Sequence, residues 1–327
     1  MSTNLNRRQF LSTSVMASSA AVTGAGKLAA EPVESEPGSD AKTVVPCCKG
    51  EMPMGKIGNL TLSRLISGGN LISGWAHSRD LHYVPSLMRA YNTEEKVMDT
   101  LQLLEEHGVN AIIADPAKKP MAIFGRYWKE RGGRMQWIAE GHPDLDDWRT
   151  NIQASIDFGA AAVYVQGVIG DQWYNQGKVE LLGKCVDFVR SQKVPAGIGA
   201  HKLEVLIEAE KLGLGAEFYV KTLHHGNYWS ARRPGQDADV VENREDNYWE
   251  MTPDQTIAFM QEIEKPWIAF KVLAAGGIRP ESGFRYAFEH GADFICVGMF
   301  DFQVEQNVAL VRKLVPEWAN RSREWMA

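Results

Sequence analysis

The chain has 327 residues, of which 44% are hydrophobic, and a formal net charge of −6 at pH 7. Because its lysines and arginines are scattered among acidic residues, the sequence offers no basic surface, and nucleic acid is not expected as a partner. The length is sufficient for one enzyme-sized domain with a large core, so no second domain is required.

The N-terminus resembles an export signal. Arg7 and Arg8 are followed by Phe10 and Leu11 and then by an uncharged, mildly apolar stretch over residues 12–26. This pattern is typical of twin-arginine signals and predicts a signal peptide over residues 1–30, recognised by the twin-arginine (Tat) export machinery. The mature chain is then expected to be periplasmic or otherwise extracytoplasmic, without a membrane span, because the apolar run is too short. Residues 31–53 are predicted to be a flexible linker.

Between Leu62 and Leu314 one unit is repeated eight times: a short apolar, β-branched run followed by an amphipathic helical stretch. The predicted strands are 62–67, 110–115, 135–140, 161–166, 196–200, 217–221, 267–272 and 293–297. Eight strand–helix units predict an α/β fold, a single closed (β/α)8 or TIM barrel, over residues 54–327.

Polar residues close most of the predicted strands. Active sites of such barrels lie at the carboxyl ends of the strands, so these residues are the first candidates for chemistry. The predicted catalytic residues are Asp115, Glu140, His201, Lys221 and Lys271.

Four segments resemble the aldo/keto reductases: MGKIGNLTLSRL at residues 54–65, GIGAH at 197–201, IAFKVL at 268–273, and VGM at 297–299 with QVEQN at 303–307. The resemblance spans the whole barrel. Members of that family are NADPH-dependent TIM barrels, so the resemblance implies the same architecture.

The catalytic set that this resemblance implies is not kept. The family has an Asp ending the second strand with a Tyr shortly after it, a Lys closing the third strand and a His closing the fourth. Asp115 matches the first of these, but the third strand closes with Glu140, the fourth with Gln166, and no Tyr follows before Tyr127. A Glu would oppose the lowered tyrosine pKa that the Lys provides.

The cofactor residues implied by the resemblance are also altered. Ala200 and His201 replace the family's Ser–Asn pair for the nicotinamide amide, and Asp301 stands where cationic side chains bind the 2′-phosphate. NAD(P) is therefore expected less than a divalent metal, and the identity of any cofactor stays open.

Two further mechanisms are compatible with the polar residues. A divalent cation could be held by Glu140, His142, His201 and His224, near Asp115 and Asp171, although their spacing is not diagnostic. Lys221 could instead act as a Schiff-base amine if its surroundings lower its pKa. The structural alternative is that Glu140 forms an ion pair with Lys221 or Lys271.

Long aromatic loops follow the first, fourth and sixth predicted strands, as expected of lids or binding loops. Their Trp and Tyr residues could stack on a ring while neighbouring amides bind hydroxyl groups, which favours a small sugar-like substrate. The predicted substrate-binding residues are Asn70, Trp75, His77, Gln166, Trp173, His224 and Trp229. The alternative is that some of these rings only anchor the loops.

Three functions remain open. The leading prediction is an exported lyase, isomerase or epimerase that acts on a small hydroxylated carbonyl compound or sugar by acid/base chemistry, with or without a metal. The alternatives are an NAD(P)-dependent oxidoreductase with an altered catalytic set and a non-catalytic ligand-binding barrel. Convergent titratable groups argue against the last, because burying them costs stability.

Overall fold

A computed structural model describes residues 51–78, 81, 83–231 and 250–327. The predicted signal peptide and nearly all of the predicted linker therefore lie outside the described residues. No helix of the described part of the chain is long and apolar enough to cross a membrane.

Eight parallel strands close into a barrel, which confirms the predicted fold. Their bounds are β3 (Leu65–Gly68), β4 (Ala111–Ala114), β5 (Gln136–Gly141), β6 (Ala162–Val165), β7 (Ala196–Ala200), β8 (Phe218–Thr222), β9 (Trp267–Phe270) and β10 (Phe294–Val297). Each strand pairs with the next along the chain, and β10 also pairs with β3 to close the sheet.

An antiparallel hairpin, β1 (Met54–Ile57) and β2 (Leu60–Ser63), precedes the barrel. The predicted first strand, residues 62–67, merged the end of this hairpin with β3. Apolar residues flank Arg64 closely on both sides, Leu62 before it and Leu65 after it, so the hydrophobic pattern alone did not separate two strands that pair with different partners.

Helices follow the barrel strands. Their bounds are α1 (Asn70–Ser73), α2 (Val84–Tyr91), α3 (Glu94–Glu106), α4 (Lys118–Glu130), α5 (Thr150–Phe158), α6 (Gly167–Asn175), α7 (Glu180–Ser191), α8 (Leu203–Lys211), α9 (Pro253–Gln261), α10 (Pro280–Glu289) and α11 (Asp301–Glu317). The helix starts follow from the sequence: the Thr93 hydroxyl accepts a hydrogen bond from the Lys96 amide at 3.2 Å, and Pro280 opens α10.

Two large rings fill the barrel interior because β7 carries glycines on its inward face. A Cβ atom at Gly197 would lie 2.6 Å from the Phe218 ring, and one at Gly199 would lie 2.7 Å from the Tyr164 ring. Tyr164 and Phe218 belong to the buried cluster inside the barrel, whereas a second, larger apolar cluster lies between the strands and the helices. The interior is therefore a packed core, and the Tyr164 ring, near the carboxyl end of β6, forms part of the floor of the mouth.

Buried charges hold the opposite, N-terminal face together in what we call the basal cluster: Asp293, Arg321 and Arg323. The Asp293 carboxylate accepts hydrogen bonds from Arg321 at 3.0 Å, from Arg323 at 2.8 Å and from the backbone amides of Trp267 and Met326, both at 2.9 Å. Its side chain is fully buried. The cluster thereby ties the C-terminal segment to the starts of β9 and β10.

Candidate active site

All five predicted catalytic residues lie at the carboxyl end of a barrel strand or directly after it, and Lys221 is described separately below. Asp115 follows β4, Glu140 lies near the end of β5, His201 follows β7 and Lys271 follows β9. Because all eight strands are parallel, these positions share one end of the barrel, which we call the mouth.

One polar group in the mouth is a histidine–aspartate dyad, His201 and Asp171. His201 Nδ1 lies 2.8 Å from Asp171 Oδ2, and Asp171 Oδ1 accepts hydrogen bonds from the backbone amides of His201 and Lys202 at 3.1 and 3.0 Å. Asp171 is on α6, so its carboxylate reaches across to the end of the next strand. The carboxylate fixes the imidazole with the proton on Nδ1, and among the described residues Nε2 has no hydrogen-bond partner.

Electrostatics keep this imidazole neutral. Burial lowers the pKa of His201, and the nearby Lys271 and Lys221 cations lower it too, whereas Asp171 raises it; the net shift is downward. The ring centroid lies 5.2 Å from that of Phe270, whose side chain packs against the barrel interior. A neutral imidazole with an unbonded Nε2 is a competent general base near pH 7.

A second polar group lies at the floor of the mouth. Burial and the neighbouring Glu140 charge both raise the pKa of the Tyr164 hydroxyl well above its usual value, so this hydroxyl stays protonated. Burial and Glu140 also raise the pKa of the Cys296 thiol, which opposes the reactive thiolate form. Glu140 is thus bordered by neutral groups of β6 and β10, with His142 Nε2 3.8 Å from its Oε2.

Asp115 is held by the loop that follows the first barrel strand. Ser73 Oγ donates to Asp115 Oδ1 at 2.5 Å, and Trp75 Nε1 donates to Asp115 Oδ2 at 3.3 Å. Both carboxylate oxygens therefore already accept a hydrogen bond. This arrangement favours a binding role for Asp115 over the predicted catalytic one.

The prediction that Lys221 lines the open mouth is wrong. Phe218 and Val220 of β8 face the barrel interior, so Lys221 is on the outer face of the strand, and its side chain is fully buried. Its ammonium contacts Glu250 Oε2 at 2.5 Å and Thr222 Oγ1 at 2.7 Å. Lys221 is thus paired with Glu250 and not with Glu140, and its enclosed Nζ does not face the mouth as a Schiff-base amine would.

Glu250 lies at the point where the chain returns from the long segment after β8. Burial alone would raise its pKa, but the charge of Lys221 and hydrogen bonds from Lys221, Thr222 and the Thr252 amide lower the pKa overall. The backbone amide of Glu250 also donates to His224 Nε2 at 2.7 Å. Lys221 and Glu250 thus form a fully buried ion pair next to the mouth.

The four predicted metal ligands do not assemble. His224 is buried, with Nε2 accepting from the Glu250 amide and Nδ1 donating to the carbonyl of His225 at 3.1 Å, and His201 Nδ1 is bonded to Asp171. Only Glu140 and His142 face each other. Among the described residues, no three His, Cys, Asp or Glu side chains are arranged to hold a metal ion.

The predicted substrate-binding residues differ in their surroundings. Trp173 is buried in the apolar cluster between strands and helices, where it does not face the mouth, and Gln166 Oε1 caps α6 by accepting from the Val168 amide at 2.8 Å. Trp75 and Trp229 are instead 62% and 82% exposed. Asn70 Nδ2 donates to His77 Nε2 at 3.2 Å within the loop after β3, and His224 is enclosed as described above.

Two contributors to the mouth were not predicted. Tyr164 faces inward with Ala162, two residues before it on β6, whereas Val163 and Val165 face the helices, so period-two counting along the predicted strand could have found it. Ser73 carried no such signal, because its hydroxyl becomes relevant only when α1 places it against Asp115.

Comparison with solved structures supports the architecture. The holo form of the aldo-keto reductase AKR11C1 from Bacillus halodurans is 12% identical with a TM-score of 0.53, over 84% of this chain and 100% of that one. The apo form of Gox0644 is 9% identical with a TM-score of 0.52, over 82% and 94%. A Gox0644 mutant in complex with NADPH is 8% identical with a TM-score of 0.53 over the same shares. These likenesses show a shared TIM-barrel fold. No family model and no curated protein matches the sequence.

Proposed function

We propose that this chain is an enzyme that moves a proton at a carbon next to a carbonyl group of a small hydroxylated substrate. Isomerases, epimerases and many lyases share this step. The single observation that carries the proposal is the His201–Asp171 dyad, in which one ring nitrogen is fixed by a carboxylate and the other is unbonded at the mouth.

In the proposed step, His201 Nε2 takes the proton, and the electron pair of the broken C–H bond forms a C=C bond while the carbonyl oxygen becomes an enolate oxygen. Asp171 stabilises the imidazolium that results, because it accepts the Nδ1 proton in a charge-assisted hydrogen bond. The imidazolium then returns the proton to the same carbon or to its neighbour.

Two other groups support this chemistry. Lys271 is close enough for its charge to lower the pKa of His201, so the same charge stabilises a developing enolate oxygen. Its backbone has a φ of +57°, an uncommon conformation for a residue with a side chain, which directs the chain sharply after β9. Glu140, beside the protonated Tyr164, supplies a second carboxylate for proton transfer.

Exchange in D2O tests the proposal without knowledge of the product. The purified protein is incubated with a panel of hydroxylated aldehydes, ketones and sugars, and loss of the α-proton signal is followed by NMR. We expect exchange to fall by about 10² to 10⁴ in His201→Asn, the usual contribution of a general base. The melting temperature should change little.

His107→Asn is the matched control, because His107 ends α3 and lies 3.8 Å from Glu305 on the helical layer. Exchange unaffected by His201→Asn would contradict the proposal. Micromolar NADPH binding together with turnover of a simple aldehyde would instead favour the reductase, and ligand binding without turnover would favour the binding protein.

We further propose that the chain is exported folded through the twin-arginine route. The support is the sequence alone, since Arg7, Arg8 and the apolar run lie outside the described residues. Replacing both arginines by lysine should retain the precursor in the cytoplasm, and unchanged export would refute the proposal.

A further inference from the structure

Trp75 is exposed, yet hydrogen bonds hold both its backbone and its side chain. Its side chain is 62% exposed, yet its backbone amide donates to the Asn70 carbonyl at 2.8 Å, and its indole Nε1 donates to Asp115 Oδ2 at 3.3 Å. Gly74 ends α1 with a φ of +87°, a conformation that directs the next residue out of the helix. The ring is therefore held at the mouth with much of its surface uncovered.

The groups beside the ring are hydrogen-bonding oxygens. Asp115 is only 9% exposed, and its carboxylate oxygens each accept one hydrogen bond, Oδ1 from Ser73 and Oδ2 from Trp75. A carboxylate oxygen has two acceptor positions, so Asp115 retains capacity for hydroxyl donors at the edge of the indole. The Ser73 oxygen, whose proton points at Asp115, is a further acceptor.

We infer that Trp75, Asp115 and Ser73 form a binding subsite for a pyranose ring. A pyranose has a face of C–H groups that packs on an indole and an edge of hydroxyls that a carboxylate and a serine oxygen accept. A ligand with an apolar ring would form no hydrogen bond with the nearly buried Asp115 carboxylate. An acyclic polyol has no flat face to pack on the Trp75 indole. Because hydrogen bonds already hold the Trp75 indole in place, less conformational entropy is lost when a ligand binds to it.

The position of the subsite sets the length of the substrate. Trp75 follows the first barrel strand and Asp115 follows the second, whereas His201 follows the fifth, on the other side of the mouth. A substrate that contacts both must span the mouth, so the pyranose ring on Trp75 is joined to a carbonyl-bearing part that reaches His201. This inference rests on the proposed function, since it names the substrate class of the same site.

Binding of methyl β-D-glucopyranoside, measured by saturation-transfer NMR and titration, tests the subsite, with sorbitol as the acyclic comparison. We expect the glycoside to bind more tightly than sorbitol, with affinity about tenfold weaker in Trp75→Ala, less weakened in Trp75→Phe, and weakened in Asp115→Asn. Leu212→Ala is the control, because Leu212 is 48% exposed and follows the carboxyl end of α8, where the chain returns to the N-terminal face of the barrel. Its affinity should equal that of the wild type.

Equal affinity for glycoside and sorbitol, no binding of the glycoside, or an unchanged affinity in Trp75→Ala would overturn the subsite. These binding results do not depend on turnover. If His201→Asn retains full exchange while Trp75→Ala loses the glycoside, the proposed chemistry fails and the sugar subsite stands. If the reverse is found, the chemistry stands and the substrate class is wrong.

Discussion

The two ends of this barrel use buried charge in opposite ways. In the basal cluster, the Asp293 carboxylate accepts four hydrogen bonds from two arginines and two backbone amides. In the mouth, Asp171 is similarly satisfied, but it holds an imidazole whose second nitrogen has no partner among the described residues. Charges that stabilise the fold are saturated, whereas the group assigned to chemistry keeps one position open for a substrate.

The Lys221–Glu250 pair shows that position alone does not separate these roles. It is adjacent to the mouth, yet both side chains are fully buried and bonded to each other and to Thr222. Because its charged groups are bonded to each other and to Thr222, the pair resembles the basal cluster and not the His201–Asp171 dyad. This distinction can be tested, because saturated and open groups should respond differently to substitution.

The largest expected effect is in the basal cluster. Asp293→Ala would leave Arg321 and Arg323 buried without a carboxylate, and we expect the free energy of unfolding to fall by about 3–5 kcal/mol. Urea denaturation measures this loss. Glu130→Gln, which removes one exposed partner of Arg126, is the control and should leave the denaturation midpoint nearly unchanged. An equally small effect of Asp293→Ala would break the comparison.

The buried pair beside the mouth should respond in the same way. Lys221→Met leaves the Glu250 carboxylate unpaired and should cost about 3–5 kcal/mol, whereas adding Glu250→Gln should recover much of that loss. The pKa of Glu250 is lowered in the fold, so the stabilisation is present above the unfolded value of 4.5 and is lost as pH falls through the folded value. A double variant no more stable than Lys221→Met would contradict the assignment.

The smallest expected effect is a shift in the pH profile of the mouth. Exchange requires neutral His201, so activity should persist above its pKa and be lost as pH falls through a midpoint below 6.5. Lys271→Met removes a charge that lowers this pKa and should move the midpoint to higher pH. Asp171→Asn removes a group that raises it and should move the midpoint lower. Midpoints that stay fixed in both variants would exclude His201 as the titrating base.

The fold could be predicted because its signals are local. Each barrel strand is a short apolar run, and each following helix has its own cap or stop, as Thr93 and Pro280 show. The hairpin before the barrel was missed for the same reason: nothing local marks the change of pairing partner at Arg64.

The sequence by itself determined the barrel and the end of it on which polar residues gather. Only the tertiary structure decided their roles, because these depend on which face of a strand a side chain occupies and on partners far along the chain. Lys221 is removed from the mouth by strand alternation and by Glu250, 29 residues away, while His201 is oriented by Asp171, 30 residues before it. Hydrogen-bond partners at such separations leave no periodic signal in the sequence, since they meet only when the parallel strands close into a barrel.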